Sequence, residues 1–243
     1  MCFSVAFIET SPKKYVENYS KLLNKEISTS NIKNLEPYYF VSGFQFPLLP
    51  IVLSDKMLLS NWGLIPYWVK NKANASEIKS KTLNAMGETI FEKPSFKKAI
   101  QKQRCILGIK GFYEWRNVQQ KKYPYFIYHS KNELLNIGCI YDSWTDTETG
   151  EIIMSFSIIT TPANKLMEKI HNTRKRMPLI LPNEKLNDWL NEHSTVSTVK
   201  SLIQPYSDGL LDAHTVSPLA SLSRENRNTP EIINPYHYPQ LID

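Results

Sequence analysis

Cysteine is scarce in this chain: three of 243 residues, at positions 2, 105 and 139, with no C-x-x-C spacing. An odd count without that spacing argues against a disulfide framework and a structural zinc site, and points to a reducing cytoplasm. Histidine is nearly as rare, and the five positions (129, 171, 193, 214 and 237) have no metal-ligand spacing. Long apolar runs are missing as well. None approaches the roughly 18 residues that would span a bilayer, so no membrane partner is expected. The run after Met1 ends at Glu9, has no basic segment before it and is too short for a secretory signal. Residue 2 is not glycine, which excludes N-myristoylation. Repeats, low-complexity tracts and long linkers are absent, so one domain over 1–243 is expected, with its core in about 2–220 and a loop-rich tail.

What is present suits a packed core: 42% hydrophobic residues, 12% aromatic, eight glycines and fifteen prolines. A net charge of +6 is compatible with a polyanionic partner such as nucleic acid without requiring one. Residues 2–8 read as a buried strand. Ser11-Pro12 opens a helix over about 12–25, with Tyr15, Tyr19, Leu22 and Leu23 on one face. PLLPIVL and KMLLSNW form a strand pair about Ser54-Asp55. WGLIPYW is an aromatic loop, 71–82 is polar and Lys-rich, and a helix covers Ser95–Gln103. RCILGIKGFYEWR, KYPYFIYH, LLNIGCIYDSW, IIMSFSIITT and MPLIL read as strands, with a short helix between Thr161 and Ile170. Two further helices follow, PNEKLNDWL and STVSTVKSLI, then a strand near 211–216. Together they predict an α+β fold built on a curled, mainly antiparallel, barrel-like sheet flanked by helices.

Several residues invite a chemical reading, each beside a plainer one. Cys2 is an ordinary side chain if Met1 stays. Without Met1 it carries a thiol and a free α-amine on adjacent carbons, a pair that condenses with an aldehyde and closes a five-membered ring. In GFYEWR, Phe112 and Glu114 share one strand face and Tyr113 and Trp115 the other. A carboxyl so placed loses hydration, rises in pKa and becomes a proton shuttle near neutral pH; alternatively it pairs with a basic residue at a sheet edge. His171 stands before Arg174, Lys175 and Arg176, cations that favour its neutral form, or it merely ends a helix. Asn84 can orient a reacting group without titrating, but local sequence favours a helix N-cap. Trp62, Pro66, Tyr67 and Trp68 stack bases if exposed and are core if not. Lys97, Lys98, Lys102 and Arg104 read as a solvated helix face, or a phosphate track if they line a groove. Cys105 and Cys139 read as small core residues.

The order of these segments resembles the SRAP family (SOS-response-associated peptidase domain). The matching stretches are Met1-Cys2, W-G-L-I-P at 62–66, N-A-x-x-E-T at 84–89, Phe96 with Arg104-Cys105, G-F-Y-E-W at 111–115, and Ile170-His171 followed by R-M-P-L-I-L. The resemblance implies a protein that links itself covalently to abasic sites in single-stranded DNA, as a monomer and without metal or cofactor. Cys2, exposed by loss of Met1, would be the nucleophile, with Asn84, Glu114 and His171 completing the site. Trp62, Pro66, Trp68, Thr160, Arg174, Lys175 and Arg176 form the expected DNA-contact set. Runner-up activities are a thiol (auto)peptidase using Cys2 and a non-covalent single-strand binding module. Phe3-Ser4 stands where the family commonly has Gly-Arg, Met86 where it has Arg, and EPYYFVSGFQFP where it has Y-N-x-A-P. The HNTRKR loop is also longer than usual. Two expected cations are thereby lost, and Arg174, Lys175 or Arg176 is the expected replacement.

Overall fold

A computed structural model describes residues 2–29 and 32–241. Met1 lies outside the described residues. In chain order the elements are β1 (Ser4–Phe7), α1 (Pro12–Leu23), β2 (Ser28–Thr29), β3 (Tyr38–Ser42), β4 (Leu48–Val52), β5 (Lys56–Trp62), α2 (Lys72–Lys81), β6 (Asn84–Met86), α3 (Ala99–Lys102) and β7 (Arg104–Ile109). They continue with β8 (Gly111–Val118), β9 (Lys121–His129), β10 (Leu135–Thr145), β11 (Ile152–Pro162), α4 (Lys165–Ile170), β12 (Arg176–Pro178), α5 (Leu186–Leu190), α6 (Val196–Leu202) and β13 (Leu211–Thr215).

The expected α+β architecture is present. One sheet runs β13-β9-β8-β1-β3 and is antiparallel throughout. In the other, β11, β10, β7, β4 and β5 form a ring. It closes where β11 pairs in parallel with β5, Ser155 opposite Asn61 and Phe156 opposite Trp62. Strand β6 adds to β11 in parallel, with Asn84 opposite Ile158. The main apolar cluster draws residues from both sheets and from α1, α4 and α5.

Local sequence explains how helices dock on this frame. Ser11 Oγ accepts the Lys14 amide and Pro12 occupies the first turn, so α1 starts there. Its Tyr15 and Tyr19 face inward; the Tyr15 hydroxyl accepts the Gly108 amide at 2.8 Å and the Tyr19 hydroxyl donates to Asn136 at 2.8 Å. A Cβ at Gly108 would lie 2.2 Å from the Tyr19 oxygen, so only glycine admits α1 against β7.

Four expectations change. The polar stretch 71–82 contains α2, capped by Asn71 and burying only Ala75. The helix expected over 95–103 shortens to α3, after a series of turns. Asn84 is not a helix cap but sits on β6. Arg104 is not on a solvated face: it is 3% exposed and donates to the carbonyls of Trp189 (2.7 Å), Ile100 (2.9 Å), Gln101 and Asn191. One guanidinium thus satisfies four backbone acceptors where α3, β7 and α5 meet. Each acceptor stranded by Arg104→Met costs about 1–3 kcal/mol unless water reaches it, so the variant should lose at least about 3 kcal/mol in urea unfolding. A loss within experimental error would show that these contacts are dispensable.

Candidate active site

Strand β1 lies between β3 and β8, and this fixes the residue that precedes it. The Gly43 amide donates to the Phe3 carbonyl at 2.8 Å. From β6, Asn84 Nδ2 donates to the Cys2 carbonyl at 2.9 Å. Cys2 is fully buried, its Sγ 4.0 Å from the Ser4 carbonyl. Burial, reinforced by the nearby Glu114 carboxyl, pushes the thiol pKa well above its ordinary range. Asn84 Oδ1 is buried with no hydrogen-bond partner, an acceptor held ready beside Cys2.

Glu114 is 5% exposed on β8, opposite Tyr125 of β9, while β1 pairs the other side of the strand at Gly111 and Phe112. Burial raises its pKa to about 8. His171 caps the C-terminus of α4, and its Nδ1 lies 2.9 Å from the Arg176 carbonyl oxygen. The Arg176 amide also approaches Nδ1, at 3.3 Å, and Nε2 faces Glu114 Oε2, 3.8 Å away. Burial lowers the imidazole pKa, and Arg174 and Arg176 lower it further. Both shifts favour neutral forms. At pH 7 the proton therefore rests on the carboxyl and the imidazole is neutral, the reverse of the pKa order these groups keep in water.

The four expected catalytic residues thus come from four places in the chain: Cys2 ahead of β1, Asn84 on β6, Glu114 on β8 and His171 at the end of α4. Glu114, His171 and Phe3 line an open pocket of about 530 Å³. A larger pocket of about 650 Å³, with Trp68 on its wall, shares no residue with it. The loop after His171 is tied to β8 by Asn172, whose side chain accepts from the Asn117 amide (3.0 Å) and donates to the Asn117 carbonyl (2.8 Å).

The expected DNA-contact set is divided. Trp62 is fully buried, stacks on Phe156 and donates to the Leu83 carbonyl at 2.8 Å, so it offers no face to a base. Pro66 is buried too, whereas Tyr67 (50% exposed) and Trp68 (44%) are open. Thr160 is buried and accepts from Arg176, which also ion-pairs with Glu88. Lys175 lies 3.7 Å from Glu168. Of the three cations, Arg174 alone lines the pocket. Sequence reading missed Lys122, Ser221 and Arg227, which also line it; nothing local to those residues signals a site.

Comparison with known proteins places this arrangement. The family model described as SOS response associated peptidase (SRAP) matches residues 1–221. The chain is a SRAP protein. Abasic site processing protein YoqW of Bacillus subtilis is 39% identical over 174 residues, 71% of this chain and 73% of that one. Abasic site processing protein HMCES of Rattus norvegicus is 35% identical over 213 residues, covering 75% of this chain and 58% of that protein. A crystal structure of a Bacteroides thetaiotaomicron protein superposes on this SRAP chain with a TM-score of 0.88 and 36% identity, over 97% of this chain and 100% of that one. Among the described residues, no helix is long and apolar enough to cross a membrane, and no group of three His, Cys, Asp or Glu could hold a metal.

Proposed function

We propose that this SRAP protein processes abasic sites in single-stranded DNA by forming a thiazolidine between Cys2 and the ring-opened sugar aldehyde. The observation that carries the reading is a chain of neighbours: Asn84 bonds the Cys2 carbonyl, the Glu114 carboxyl lies near the Cys2 thiol, and a protonated Glu114 faces a neutral His171 on a pocket that Phe3 also lines. The names of the relatives YoqW and HMCES support the substrate.

The chemistry follows from these side chains. Once Met1 is removed, the Cys2 α-amine attacks the aldehyde carbon. An ordinary α-amine titrates near 8, so a useful fraction is neutral at pH 7. The Glu114 carboxyl protonates the departing hydroxyl, water leaves and a Schiff base forms. The Schiff base keeps one N–H and is a cationic iminium; the resulting Glu114 carboxylate takes the Sγ proton as sulfur adds to the iminium carbon, and the C=N electron pair passes to nitrogen, leaving a secondary amine. The sum is amine, aldehyde and thiol giving thiazolidine and one water, with Glu114 returned to its starting form. Neutral His171 assists sugar-ring opening, and Asn84 Oδ1 accepts from the new α-amine or the sugar. Arg174 and the exposed rings of Tyr67 and Trp68 contact the strand. A thiol peptidase would instead need a thiolate–imidazole pair. Here the thiol is held protonated and the imidazole faces Glu114.

The test uses protein shown by mass spectrometry to lack Met1 and an oligonucleotide with one abasic site. A denaturant-resistant band is expected, with the mass of protein plus DNA less one water. No band would overturn the reading.

A further inference from the structure

Beyond the residues matched by the family model, the chain returns to the site. Asn228 Oδ1 accepts the Tyr39 amide at 2.7 Å, pinning the tail to β3, and Trp115 Nε1 donates to Ser221 Oγ at 2.9 Å. Between these anchors, Arg227 lays its guanidinium 4.3 Å over the Phe40 ring and donates to the Ala220 carbonyl at 3.4 Å. It lines the same pocket as Glu114 and His171, together with Lys122 and Arg174. Among the described residues, no carboxylate ion-pairs with any of these three cations. With Glu114 protonated, the pocket holds three positive charges and no ionised partner.

We infer that Arg227 is a phosphate-binding residue of the site, gripping a backbone phosphate beside the reacting nucleotide, with Lys122 and Arg174 completing the anion-binding rim. The inference deepens the proposed function and rests on it for the identity of the anion. The Phe40 ring 4.3 Å away and the Ala220 carbonyl hold the guanidinium in place, and the Ala220 bond uses one donor, leaving others for phosphate oxygens. A flexible rim cation would contribute charge alone; this one contributes geometry as well.

Arg227→Gln keeps a donor for Ala220 and a stem over Phe40 but removes the charge. It should weaken binding of an abasic single strand on the order of tenfold and reduce the slope of log affinity against log salt by about 0.7, one phosphate's worth. Arg227→Lys should restore the slope. A series of oligonucleotides, each with one neutral methylphosphonate near the lesion, should contain one position at which the parent loses affinity and Arg227→Gln loses no more. An unchanged salt slope in Arg227→Gln, or equal losses at every position, would overturn the inference. Denaturing gels of the same mixtures separate the two claims. Parent adducts with an unaltered Gln slope reject the Arg227 contact alone; a reduced Gln slope without any parent adduct rejects the crosslinking chemistry alone.

Discussion

Cys2→Ala is expected to abolish the denaturant-resistant adduct while leaving the aldehyde reaction half intact. Alanine keeps the α-amine, so the Schiff base still forms, but no sulfur closes the ring and the imine hydrolyses on denaturation. Borohydride added before denaturation should reduce that imine to a stable amine and bring the band back. Cys2→Ser should behave like Cys2→Ala, because a hydroxyl is a far weaker nucleophile than a thiol at neutral pH. Protein with a blocked α-amine should give no adduct with or without borohydride. This set separates the readings. A peptidase acting through sulfur alone tolerates a blocked amine, and a non-covalent binder gives no band for any protein. A stable band from Cys2→Ala without reduction would remove sulfur from the mechanism.

Glu114→Gln should lower the rate of adduct formation by about 10²–10⁴, the usual contribution of a positioned acid–base group, and yet stabilise the fold at alkaline pH. Burial keeps the Glu114 carboxyl protonated to about pH 8, whereas an unperturbed glutamate titrates near 4.5. Between those values the folded state holds a proton that the unfolded state has lost. This group's contribution to stability is therefore full below about 4.5, declines as pH rises and is gone above about 8. Glutamine mimics the protonated acid and cannot ionise. At pH 9 the variant should exceed the parent by on the order of a few kcal/mol in urea unfolding, and the two should converge at pH 4. The parent's adduct rate should also fall as pH passes about 8, and the variant should lack that step. Parallel stability curves would show that the carboxyl is already ionised in the folded protein at neutral pH.

Residues whose burial follows from strand alternation were legible before folding. GFYEW carries its own pattern, and the opposite faces of Phe112 and Tyr113 join different apolar clusters. Cys105 and Cys139 are core residues opposite each other on β7 and β10. Failures cluster where a distant partner decides. The run 104–116 reads as one stretch, but it divides at Lys110, whose amide bonds the Ala6 carbonyl, into strands of two sheets. Asn84 looks like a cap because its partner on β11 is 74 residues away. Arg104 looks solvated because it follows several lysines; its four acceptors lie partly in α5 and beyond. Helix α2 has no apolar stripe for periodicity to find. The candidate site was readable as a set of residues through the family resemblance. Its rim was not, since Lys122 and Arg227 belong to segments with no chemical signature of their own.

The position of β1 has a mechanical consequence. A chain terminus ordinarily frays, and a DNA strand tethered to it would peel the end away one bond at a time. Here the residue after Cys2 enters a strand bonded antiparallel to β3 on one side and β8 on the other. Tension along the DNA that is passed to Cys2 in the direction of β1 loads both ladders in shear, so their bonds share the force rather than break in turn. On the proposed chemistry, the attachment point is also a part of the sheet suited to bearing load, as a protein anchored to a lesion in moving DNA requires.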